Sequence, residues 1–235
     1  MLKSEIIYNI RNLIAGGITS DDTKLSNEQW SFIIDYYRAK LFKQDVDRGK
    51  TIITLYDQPL GLVDLIQADR NECCLLPFKG SCILRTRLKI PTPLQTGNEL
   101  NITHVGLVNG SPIMQDKINS IQWSLSNKYT GKEAKWYYHN GYIYLVNPPS
   151  DMIDTIVIRG VFQDPSDAVK FKTCDCTSNG LDCSAFSPFN IEYPMPMAMA
   201  DTIVKLIIQT EVNVLKSMSN ELTNDSRDDG SDRGL

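Results

Sequence analysis

Read from the N-terminus, apolar positions first recur every three to four residues, then alternate, then lose any period, and finally return to helical spacing. Leu2, Ile6, Ile10, Leu13 and Ile14 share one helical face, and Gly16-Gly17 closes it. After the polar turn Ser20-Asp21-Asp22-Thr23, a second helix is predicted over about 27–47. Ser26 fits its N-cap, with Gln29 three residues later as the partner of a capping box. Leu25 and Trp30 stand at the positions of a hydrophobic staple. Trp30, Ile33, Ile34, Tyr37 and Leu41 form the apolar stripe, and Gly49 offers the stop.

From residue 51 the period changes. Leu60–Ile66 is a short apolar run after Pro59. Ser81–Ile90 alternates strictly up to Pro91, which predicts a half-solvated strand with Arg85, Arg87 and Lys89 on one face and Leu84, Leu88 and Ile90 on the other. Asn101–Val108 reads as a strand closed by Asn109-Gly110. Trp136–His139 and Tyr142–Val146 flank Asn140-Gly141, a strong hairpin signal. Asp154–Phe162 is rich in β-branched residues, and a short helix fits near Ser120–Leu125. Residues 163–196 show no period, while Met197–Leu222 reads as a long helix before a polar tail. The expected fold is α+β: an N-terminal helical region (1–50), an antiparallel β domain (51–163), an irregular arm (164–196), a C-terminal helix (197–222) and a disordered acidic tail (223–235).

Composition adds little chemistry. With 24 basic and 28 acidic residues the net charge is −4. Asp225, Asp228, Asp229 and Asp232 against Arg227 and Arg233 place −2 of it in the tail. A nearly neutral body argues against a general nucleic-acid binder but leaves room for a local basic strip. No apolar run reaches the roughly 20 residues of a membrane span. The N-terminus, with Glu5 and Arg11, does not read as a signal peptide, so a protein made in a cytoplasm is expected.

Cys174, Cys176 and Cys183, completed by Cys73-Cys74 or Cys82, could offer thiolates to zinc. The Cys-x2-Cys spacing is missing, so free thiols are the plainer reading. His104 sits in a strand pattern and His139 before a turn, neither beside a nucleophile motif. Asp21-Asp22, Asp45 and Asp47 lack the glycine-centred loop of a calcium site. Neither an enzyme nor a cofactor is expected. Arg85, Arg87 and Lys89 read first as a solvated face, and as a phosphate-facing strip if the protein lines a DNA channel. Tyr137, Tyr138, Tyr142 and Tyr144 fit sheet packing, with base stacking or interface anchoring as alternatives.

Residues 19–50 resemble the N-terminal helical region of head–tail adaptor (ring) proteins of tailed bacteriophages, in particular those of crAss-like phages of gut Bacteroidetes. The likeness lies in the Asp-rich turn, the helix ending in Gln44-Asp45 and Gly49-Lys50, then Val63-Asp64, Glu72-Cys73-Cys74, Arg85-Thr86 and Ile90-Pro91. It continues through Tyr193-Pro194-Met195-Pro196 and the final helix with its polar tail.

The resemblance implies a non-enzymatic virion protein at the head–tail junction, assembled in the host cytoplasm into a ring of about a dozen copies. Its implied partners are the portal protein, neighbouring copies, further tail or ring proteins and the genomic DNA passing through the lumen, with no membrane. Tyr193, Met195, Ile203, Leu206, Ile207 and Val214 are the expected docking residues, and Arg85, Arg87 and Lys89 the expected lumen-facing ones. Another virion component (head-completion, stopper or tail-completion protein) and, more remotely, a zinc-binding enzyme or nucleic-acid binder remain as alternatives.

Overall fold

A computed structural model describes residues 1–14, 25–49, 53–68, 83–97, 99–129, 131–148, 153–174 and 186–212. The chain divides into two compact units, Met1–Lys50 with Ser187–Leu235, and Thr51–Phe186.

The first unit is helical. α1 (Lys3–Ile14), α2 (Asn27–Asp47) and α6 (Met197–Ile207), which continues into a π-helical turn at Ile208–Val212, share one core. α2 begins where its sequence says. The Ser26 hydroxyl accepts from the Gln29 N–H at 3.3 Å, and the Gln29 side chain accepts from the Ser26 N–H at 2.8 Å. Trp30, Ile34 and Tyr37 are buried, and Ile33, Leu41 and Leu25 pack around them. At the other end the Arg48 N–H bonds the Gln44 carbonyl, and Gly49 takes φ 71°, the left-handed stop.

The buried face of α1 differs from the expected one. Ile6, Ile7 and Ile10 are buried with Lys3, whereas Leu2 and Leu13 are exposed. Leu2 precedes the helix and bridges Glu192, so the core-facing stripe is set one residue later, at Lys3. The Lys3 and Ser4 N–H groups bond the Ile191 and Phe189 carbonyls, and the Tyr193 N–H bonds that of Met1. Residues 1–4 are thus joined to residues 189–193 by backbone pairing.

The second unit contains β1 (Gln58–Gln67), β2 (Ile83–Thr86), β5 (Ile102–Gly106), β6 (Met114–Gln115), β7 (Lys135–His139), β8 (Tyr142–Val146) and β9 (Thr155–Gly160). Their order is β5-β9-β1-β2-β8-β7-β6, antiparallel except for β6 beside β7. A separate hairpin joins β3 (Gln95–Thr96) to β4 (Glu99–Leu100). The short helices α3 (Ile53–Tyr56), α4 (Ile121–Ser126) and α5 (Pro165–Cys174) complete the unit.

The two edges of the large sheet meet. Ile113 donates to the Val105 carbonyl and Gly106 bridges Pro112, while the next residues pair with β7. The segment 112–115 therefore closes the sheet as a small barrel. Leu60, Val63, Ile102, Val105, Trp136, Ile143, Leu145, Ile156 and Ile158 fill a single core. Leu60 and Val63 lie an odd number of residues apart, yet both are buried there. A bulge between Pro59 and Gly61, with Gly61 at φ 85°, shifts the alternation by one.

Two expectations are corrected here. The stretch 164–196 is not wholly irregular, because Pro165–Cys174 is a helix. The Asp164 carboxylate accepts from the Ser166 N–H at 2.7 Å, Pro165 occupies the first turn, and Ala168 and Phe171 pack on the barrel core. Among the described residues 83–90, the strand expected over 81–90 spans Ile83–Thr86 and does not continue to Ile90. Its partner β8 starts at Tyr142, so beyond Arg85, which pairs with Tyr144, the strand soon runs past the hairpin end. Leu88, placed inward by alternation, is exposed, while Ile90 is buried. The predicted tail at 223–235 and the final helix beyond residue 212 lie outside the described residues.

Candidate functional site

The cations Arg85, Arg87 and Lys89 are positioned by the barrel wall. Cross-strand register sets Arg85 opposite Tyr144 on β8 and opposite Ile66 on β1. On β8, Tyr142 shares a face with Tyr144. The Arg85 guanidinium lies 4.5 Å from the centroid of the Tyr142 ring and donates to the Thr86 carbonyl at 3.1 Å. The chain then bends, and Lys89 returns to the same ring with its ammonium 5.9 Å from the centroid. Its aliphatic stem lies against Gly141, where a Cβ would sit 3.4 Å away. Two cations thus converge on one aromatic ring at the hairpin tip. Arg87 is exposed at the bend, and its backbone N–H bonds the Asp64 carbonyl at 2.8 Å.

The four tyrosines divide between sheet faces. Tyr137 and Tyr144 are buried and stacked, with centroids 5.0 Å apart and planes 7° apart, under α4 and Ile121. Sheet packing is the role they fill. Tyr138 packs against the barrel core from the other face, and burial raises its hydroxyl pKa. Tyr142 meets two of the cations, Arg85 and Lys89. His139 lies beside this group, its ring 6.5 Å from that of Tyr144. The face offers positive charge and aromatic surface, which suits binding an anion or a flat partner.

The expected docking residues lie in the helical unit. Ile203 and Ile207 are fully buried and Tyr193 nearly so, while Leu206 and Met195 are partly buried against the same core. Val214 lies outside the described residues. The inward face of α6 packs into the core shared with α1 and α2. Its exposed side begins at Met197, 76% exposed.

Sequence reasoning passed over the group that fastens this segment. Lys3, fully buried, forms a 2.7 Å ion pair with Asp35. The Tyr193 hydroxyl donates to the other oxygen of the same carboxylate. Lys3 and Arg38 place their cations 5.6 and 5.7 Å from the centroid of the Tyr193 ring, and Arg38 donates to the Pro194 carbonyl at 3.3 Å. Further on, the Tyr37 hydroxyl bonds Thr210 and Glu211, and burial is the main cause raising its pKa. The only available signal was Asp35 and Arg38 falling near the apolar stripe of α2.

Among the described residues no three His, Cys, Asp or Glu side chains gather as metal ligands. Cys73, Cys74, Cys82, Cys176 and Cys183 lie outside the described residues, and of Cys174 only the backbone at the end of α5 is described. No described helix is long and apolar enough to cross a membrane.

Two comparisons bear on this arrangement. The family model for phage tail ring protein 2 matches residues 5–230. "Ring protein 2" of Bacteroides phage crAss001 is 24% identical over 217 residues, covering 89% of each chain.

Proposed function

The chain belongs to the phage tail ring protein 2 family, and from that membership we propose that it is a structural ring component joining the portal to the tail. The family match across residues 5–230, which includes both compact units, carries the reading. In it, about a dozen copies form one closed cyclic ring. The portal protein lies on one side, further ring or tail proteins on the other, and the genome passes through the lumen.

The architecture suits this role. Closure by residues 112–115 covers part of the sheet edge that would otherwise invite uncontrolled pairing, and residues 1–4 pinned to 189–193 give the helical unit a fixed docking surface. We assign Arg85, Arg87 and Lys89 to the lumen-facing wall, where cations on a nearly neutral body would meet phosphate. The outer side of α6 from Met197 onward is assigned to the portal-side contact, with Tyr193, Ile203 and Ile207 supporting it from beneath.

The test is copy number per particle, from quantitative mass spectrometry of purified virions against the major capsid protein. About a dozen copies is the expected result for a single ring. Hundreds would indicate a capsid or tail-tube component, and absence from particles would overturn the assignment.

A further inference from the structure

The outward face of α2 departs from the usual pattern of a surface helix. Its inward positions Trp30, Ile34 and Tyr37 belong to the helical core, and Phe42 is buried as well. The opposite face should be polar. Instead Phe32 and Tyr36, one helical turn apart, are 73% and 56% exposed. Spacing of four residues makes them neighbours, so they form one continuous aromatic patch. Lys40 and Lys43 extend the same face and are exposed.

The patch is also held in place. The Tyr36 ring meets that of Tyr37 edge to face, with centroids 5.4 Å apart and planes at 84°. Tyr37 is in turn buried and fixed by Thr210 and Glu211. An exposed aromatic braced from beneath, as Tyr36 is, loses little side-chain freedom on binding, and that cost is one of the main ones opposing association.

We propose that the Phe32–Tyr36 face of α2 is a subunit–subunit contact of the ring, occupied by a neighbouring copy of this chain. This rests on the ring assembly proposed above. A closed ring with one contact repeated around the axis is heterologous: each copy presents one patch to the neighbour on one flank and a different patch to the other. Such a chain must therefore carry exposed surface that is covered only by its own kind. Aromatic anchors with a charged margin are the composition of an interface core and its rim. A surface facing DNA would instead place its cations at the centre of the patch, as at Arg85 and Lys89. Because the contact is heterologous, α2 of one copy meets residues outside α2 on the next.

The experiment places a photo-crosslinking residue at the patch in the full chain, Phe32→p-benzoylphenylalanine, and irradiates purified virions. The expected product joins two copies of the chain, with the linked peptide mapping outside residues 27–47. A product with a different virion protein, a link confined to residues 27–47, or no product overturns the proposal. A second variant, Phe32→Ser, is expected to keep the thermal midpoint of the isolated chain, because this side chain is 73% exposed. It should lower copies per particle by about tenfold or more, and an unchanged copy number overturns the proposal. The unmodified chain separates the two readings. If it is present at about a dozen copies and the link goes elsewhere, the ring stands and this contact falls. If it is absent from particles, the ring assignment itself fails.

Discussion

Lys3 shows how far a single residue can depart from its ordinary place. Lysine is almost never fully buried unless paired, and here its ammonium is enclosed against the Asp35 carboxylate at 2.7 Å. The same carboxylate accepts from the Tyr193 hydroxyl, so one aspartate links α1, α2 and the segment that leads into α6. Removing one partner of a buried pair leaves the other charge without compensation, which costs about 3–5 kcal/mol. Asp35→Asn keeps the shape but removes the charge, so it is expected to lower stability by about 3 kcal/mol. Urea unfolding of the full chain measures this, and Lys3→Met combined with Asp35→Leu should recover much of the loss. A change of less than about 0.5 kcal/mol for Asp35→Asn, the size of an ordinary surface substitution, would mean that the pair does not hold the terminal segment. No local pattern announced this contact. A lysine at the start of a helix reads as solvated, and its partner lies 32 positions away.

At the scale of elements, what was legible was what is local. The capping box of α2 involves four consecutive residues. The hairpin of β7 and β8 depends on Asn140 and Gly141, both at positive φ, 50° and 89°, the geometry of a type I′ turn. Gly141→Ala forces a Cβ into that conformation and is expected to destabilise the chain by about 1–2 kcal/mol, measured by chemical denaturation. Wild-type stability would mean that the turn relaxes to another type. The elements missed had competing or remote causes. α5 carries a readable start in Asp164-Pro165, but the prolines and cysteines downstream made the whole stretch read as an arm. β2 keeps its alternation on paper past Thr86, yet a strand needs a partner, and β8 has already turned at Gly141. Closure of the barrel by residues 112–115 and the pairing of residues 2–4 with 189–192 depend on contacts far apart in the chain. No window of sequence contains them.

On the scale of the whole molecule, charge becomes informative only through where it lies. The chain carries −4 in total, of which the last stretch contributes −2, so three cations within five residues stand out against a weakly charged body. In one copy they would attract DNA weakly. In a ring the strip is repeated around the axis, and about a dozen copies would surround the duplex with roughly three times as many cations. The three are not equivalent for a test. Arg85 packs on Tyr142 and bonds the Thr86 carbonyl, so changing it would disturb the barrel wall as well as the charge. Arg87 is exposed at the bend, and Lys89 is exposed although its stem lies against Gly141 and its ammonium near the Tyr142 ring, so their reversal perturbs charge more than packing. Particles carrying Arg87→Glu and Lys89→Glu are therefore expected to keep the wild-type copy number of the chain. Their infectivity should fall by about tenfold or more, because acidic side chains in a narrow channel repel each passing phosphate. The loss should be partly relieved when ejection is followed in vitro at higher salt, where screening shortens the reach of each charge. Full infectivity with normal genome content would show that the strip faces away from the lumen. An equal loss at every salt concentration would indicate that the residues contact protein instead.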